Sequence, residues 1–212
     1  MSVSLEWFAA VITTAALLLY EVSLVARHRR PDRLARTAHE TLRADWFAAV
    51  SAQAGSEILG VQTLRNSLMS ASMTASTAVL GLMGTVTLAA PSLHATFDET
   101  AGGMPNFTPR LALELVLLAL LFASLVSSVM AVRYFNHAGF IVGMPVEAEA
   151  RKRWAEAGAS YLRRAGVMYS WGLRQLILVV PVVAFILHPL AGPVAALFVT
   201  GVLLGLDRFR PA

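Results

Sequence analysis

Cysteine is absent from this 212-residue chain, and charge is scarce, with only 14% of residues Asp, Glu, Lys or Arg. Without a thiol there can be no disulfide, thiolate metal site, iron–sulfur ligation or cysteine nucleophile. A soluble domain carries roughly a quarter charged residues. So little charge beside 57% hydrophobic residues and a positive mean hydropathy excludes an ordinary soluble class. Catalytic signatures are missing too: the sequence holds no Gly-x-Ser-x-Gly, phosphate loop or His-Glu-x-x-His. No histidine forms a close ligand pair with another histidine or a carboxylate cluster. His94 and His188 are expected on one side of a membrane, His28, His39 and His137 on the other, which disfavours a bis-histidine haem within one subunit. The chain therefore reads as a non-enzyme with no metal and no cofactor.

Long apolar stretches separated by arginine-rich segments fill the space. Measured against the roughly 20 apolar residues that a bilayer core requires, five segments qualify as spans: about 5–26, 68–90, 111–132, 167–187 and 192–206. The expected fold class is all-α, a polytopic transmembrane helix bundle with about five membrane segments plus cytoplasmic amphipathic helices. One membrane domain covers residues 1–212. The first stretch carries Glu6 and no basic residue ahead of it, unlike the basic n-region of a signal peptide.

Orientation follows from counting. Segments 27–66, 133–165 and 207–212 hold fifteen of the seventeen basic residues. The loop from Pro91 to Pro109 carries Asp98 and Glu99 instead. Basic loops stay on the cytoplasmic side, so the N-terminus is expected outside and the C-terminus inside, in a bacterial-type inner membrane. The net charge of +4 then reflects arginines facing anionic headgroups rather than nucleic acid.

Two cytoplasmic stretches are amphipathic. From Asp32 to Ala54, Leu34, Ala38, Leu42, Trp46 and Val50 recur every four residues. Gly55 and Gly60 are expected to interrupt this helix before the second span. From Val146 to Leu162, Trp154 and Tyr161 accompany Arg151, Lys152, Arg153, Arg163 and Arg164. Such helices rest on lipid headgroups or dock a cytoplasmic protein partner.

The second span places Ser67, Ser70, Thr74, Thr77, Gly81 and Gly84 at three- and four-residue steps, on one face. Small residues allow close helix packing in lipid; hydroxyls can also line a hydrated pathway. Arg174 is either an anchor at the edge of a short fourth span or lies about 10 Å inside a longer one. An arginine in the bilayer interior requires a partner, and Glu21, backbone carbonyls and the hydroxyls of the second span are candidates. The last two segments could also form a re-entrant hairpin turning at His188–Pro193.

Three stretches resemble the membrane-protein family called domain of unknown function 599. They are Leu64-Arg65-Asn66-Ser67, Val132-Arg133-Tyr134-Phe135-Asn136-His137 and Gly172-Leu173-Arg174-Gln175, followed by Pro181, Gly192-Pro193 and Asp207. The resemblance implies a fold more than an activity.

In Arg65-Asn66, Arg133 with Asn136 and His137, and Arg174-Gln175, a guanidinium stands beside a neutral amide or imidazole. That combination suits an anion or a lipid headgroup. One five-helix subunit has little room for its own pathway. The leading expectation is thus a homo-oligomeric channel or transport-like protein for a small anion, in contact with anionic lipids. The alternatives are a scaffold or accessory subunit, and a lipid-active enzyme using His137 with Glu21 or Glu114.

Overall fold

The computed structural model describes residues 3–27, 35–97 and 107–207. Six helices dominate them: α1 (Val3–Arg27), α2 (Ala35–Ala52), α3 (Glu57–Phe97), α4 (Pro109–Val142), α5 (Glu149–Leu187) and α6 (Ala191–Leu206). Among the described residues there is no strand. α1, α3, α4 and α5 are long and apolar enough to cross a membrane; α6 is apolar but has 16 residues. The chain is an all-helical integral membrane protein.

Each predicted apolar segment lies inside one of these helices, yet three helices are far longer than a span. α3, α4 and α5 have 41, 34 and 39 residues. At 1.5 Å per residue they reach about 50–60 Å, against a hydrocarbon core of about 30 Å. Pro91 does not end α3, which continues to Phe97. Nor does Gly60 interrupt the chain as the sequence suggested: a Cβ there would lie 2.5 Å from Val142 Cγ1, so glycine lets α3 close onto α4. Gly55 is the real break. Its φ of +84° is left-handed backbone, which only glycine adopts freely.

The core falls into two tiers. The first packs Leu17 and Tyr20 of α1 against Leu117 and Leu121 of α4, Val182 and Phe185 of α5, and Leu203 of α6. The second packs Phe47 and Val50 of α2 against Leu64 and Ala71 of α3, Phe135 and Ile141 of α4, and Leu162 of α5. α4 and α5 run through both tiers. α1 and α6 contribute only to the first core, α2 only to the second.

α2 departs from the stripe read in its sequence. A strict four-residue repeat drifts around a helix of 3.6 residues per turn, and Leu42 is exposed. The buried line is instead Phe47 and Val50, with Arg43 and Trp46 half-buried beside them. Leu34 lies outside the described residues. Phe47 fits against Gly158 of α5, where a Cβ would be 2.6 Å from its ring.

The second basic stretch is not a separate surface helix but the start of α5. Lys152, Arg153, Arg163 and Arg164 are exposed, whereas Arg151 is 2% exposed. Its Nη1 donates to Val142 O at 2.8 Å and also to Met144 O; its Nη2 donates to Val50 O at 3.2 Å. These carbonyls lie at or beyond helix ends, where no intrahelical donor is left for them. Arg151 therefore ties α2 to α4 rather than facing headgroups.

α3 packs chiefly on α4. Between Leu64 and Ala89 its buried positions are Leu64, Ala71, Thr74, Ala78, Thr85 and Ala89. The Ser/Thr/Gly stripe is rotated from this line by roughly 70° at 100° per residue. Thr74 is buried, Ser67 and Gly81 are half-buried, and Ser70, Thr77 and Gly84 are exposed. Ser67, Ser70, Thr74 and Thr77 each donate to the carbonyl four residues earlier. Hydroxyls bonded this way present no free proton to a passing ion.

Candidate functional site

Where the tiers meet, α1, α5 and α6 bring together four polar side chains and a phenol. Arg174 Nη2 donates to Asp207 Oδ1, and Tyr20 Oη donates to Asp207 Oδ2 at 3.0 Å. The neighbouring Gln175 donates through Nε2 to Glu21 Oε1 at 2.8 Å. Two consecutive residues of α1 thus engage two consecutive residues of α5, one pair directly and the other through Asp207. Leu187 ends α5 thirteen residues beyond Arg174, and α6 returns over 16 residues to Asp207. The cluster therefore lies about 20–24 Å from the turn joining these helices.

The side chains of Arg174 and Asp207 are 15% and 8% exposed, so most of the ion pair is out of solvent. The partner of Arg174 is thus Asp207, not Glu21 or the hydroxyls of α3. Its Nη1 is buried with no hydrogen-bond partner. Beside the pair opens a cleft of about 230 Å³ lined by Ser170, Arg174 and Asp207 and, from α2, by His39 and Arg43.

Arg43 is the unexpected member. It also lines a larger cavity of about 530 Å³ between α2, α3, α4 and α5, together with Trp46, Asn66, Ser67, Ser70 and Tyr169. Its guanidinium is half-buried and makes no hydrogen bond or ion pair with any described residue. Burial pushes its pKa below the ordinary arginine value, with the nearby Glu40 carboxylate acting the other way. A desolvated guanidinium with open donors favours an anion, because charge-assisted hydrogen bonds would replace its lost hydration.

Gly166 makes this placement possible. A Cβ at that position would lie 2.2 Å from Arg43 Cζ and 2.3 Å from Nη1. The colliding atoms are the far end of a flexible side chain, so Gly166→Ala is expected to fold normally while displacing the guanidinium. Thermal unfolding of Gly166→Ala should remain within about 1 kcal/mol of wild type; a larger loss would mean that the helices cannot accommodate the added methyl by moving Arg43 alone.

The three arginine-centred motifs do not share one site, although the first two meet in part. Arg65 and Asn136 line a cavity of about 340 Å³ on the α3–α4 surface. Asn66 faces the 530 Å³ cavity. Arg133 is exposed, and the His137 ring lies 5.3 Å from that of Tyr161. Arg174 and Gln175 belong to the junction. The sequence did carry a signal for Arg43: it lies three, four and seven residues before Trp46, Phe47 and Val50, a charge on the apolar face of its helix.

The family model described as "Protein of unknown function, DUF599" matches residues 8–212. No curated protein and no solved structure matches the chain.

Proposed function

We propose, for a chain that belongs to the DUF599 family, an anion-binding, transport-like role carried out by a homo-oligomer. The observation that supports it most is Arg43, a half-buried guanidinium without an acceptor among the described residues, placed between two cavities and sharing one of them with Arg174. Phosphate or a chemically similar oxyanion suits two guanidinium groups.

The self-bonded hydroxyls of α3 favour a packing role for the small-residue stripe, so the reading no longer depends on it. An enzymatic role has less to support it. His137 and Glu114 stand 23 residues apart on α4, about 35 Å along the axis. The buried Glu114 is bonded by Arg110 at 3.0 Å, and Glu21 by Gln175. An accessory role is the second reading, favoured by the exposed basic residues on the second tier.

Uptake separates the two readings. Proteoliposomes carrying the protein should accumulate labelled phosphate faster than empty vesicles, and Arg43→Gln should reduce that rate to the empty-vesicle level. Tight phosphate binding with no uptake would favour the accessory role.

In the proposed orientation the α1 start and the α3–α4 connection face outward, and the second tier faces the cytoplasm. A chain without cysteine allows a direct test with single-cysteine variants. An impermeant maleimide should label His94→Cys on intact spheroplasts and Ala48→Cys only after lysis. The reverse pattern would invert the topology.

A further inference from the structure

Two cavities of different character meet at one side chain. On one side of Arg43 the smaller cleft carries His39, Ser170, Arg174 and Asp207. On the other the larger cavity is walled mainly by carbon, from Leu42, Trp46, Leu64, Phe135 and Leu162. Its volume of about 530 Å³ falls within the ~300–1,000 Å³ typical of ligand sites. A bare oxyanion would occupy the neighbourhood of Arg43 and leave that apolar wall to water, which is unfavourable. A molecule with one anionic group and a hydrocarbon chain would satisfy both parts. The amide of Asn66 has no hydrogen-bond partner among the described residues and borders the same cavity, giving such a headgroup a neutral donor near the guanidinium.

The site also has a suitable height. α1 and α6 run only through the first tier, and Asp207 closes α6 beside the cleft. In a bilayer surrounding the first tier, the cleft and cavity lie near the headgroup level, with the larger cavity bounded on one side by α3, which has much exposed apolar surface.

We propose that the junction binds an anionic phospholipid, its phosphate on Arg43 and one acyl chain in the cavity between α2 and α3. This rests on the anion-site reading above and narrows its ligand class. Charge complementarity favours a net-negative headgroup over a zwitterionic one, since Arg43 is ion-paired with no described carboxylate and Glu40 acts on it only from nearby.

Trp46 lines the cavity and can report on it. With Trp7, Trp154 and Trp171 replaced by phenylalanine, Trp46 is the remaining indole. The protein is placed in mixed phosphatidylglycerol–phosphatidylcholine vesicles in which one lipid or the other carries brominated acyl chains. Brominated phosphatidylglycerol is expected to quench Trp46 with about tenfold or greater preference, the factor for one charge-assisted hydrogen bond. Arg43→Gln should remove the preference and Arg43→Lys retain part of it. Equal quenching by both lipids with phosphate binding intact would overturn the lipid assignment alone. Phosphate binding that survives Arg43→Gln unchanged would overturn the anion site as well.

Discussion

Replacing Arg43 with glutamine should weaken inorganic phosphate binding by about 10- to 150-fold, the range for losing one hydrogen bond to a charged group. The same change should leave the fold intact or make it more stable. The wild-type guanidinium is half-buried, has no acceptor among the described residues and is offset only by the nearby Glu40 charge, so it lowers stability until a ligand arrives. Glutamine removes the charge and retains an uncharged donor, two bonds short of the guanidinium nitrogens. Calorimetric titration gives the first quantity and unfolding in mixed micelles the second. Parallel loss of both would instead make Arg43 a structural residue that the anion only happens to neighbour.

Asp207→Ala should have the opposite profile, with a large loss of stability of about 3–5 kcal/mol, as when one partner of a buried ion pair is removed. Two donors depend on this carboxylate, Arg174 Nη2 and Tyr20 Oη. Its removal would leave an arginine that is 15% exposed with no counterion. The double variant Arg174→Met/Asp207→Leu should recover much of the loss, because desolvated charge and partner disappear together. Tyr20→Phe, which breaks one neutral-to-charged hydrogen bond, should cost about 1.5–3 kcal/mol. A double-mutant cycle on unfolding free energies checks this. Asp207→Ala within about 1 kcal/mol of wild type would mean that the pair behaves as a solvated surface bridge.

The contrast between these two arginines explains what the sequence could disclose. Apolar length is a local property, so the helical membrane architecture was legible without any contact. The ends of α5 and α6, before His188 and Asp207, were legible for the same reason. The continuation of α3 through Pro91 and of α4 beyond Arg133 was not, because neither a proline nor a charge must end a helix whose neighbours support it. Arg174 was recognisable as needing a partner, yet Asp207 lies 33 residues away on another helix. Only the antiparallel return of α6 brings them together. Arg43 and Arg151 looked like ordinary members of basic cytoplasmic segments. Periodicity marks Arg43 as a charge on the apolar face of its helix, but whether such a residue meets lipid, three carbonyls or a cavity depends on which helix packs over it.

The two arginines also illustrate opposite uses of burial. Arg151 donates to the carbonyls of Val50, Val142 and Met144, which holds the second tier together. Arg43 lies over Gly166 with its donors directed at no described acceptor. Terminal nitrogens that both donate to carbonyls make a structural clamp, although Arg151 Nε finds no partner among the described residues; open donors beside a cavity make a binding site.

The most direct test is native mass spectrometry of the wild-type protein and Arg43→Gln, each released gently from its own membrane. The wild type should retain one phosphate-bearing molecule per chain, and the variant should lose it while keeping the same subunit number. A ligand-free wild type, or equal retention by both proteins, would contradict an anion site built on Arg43.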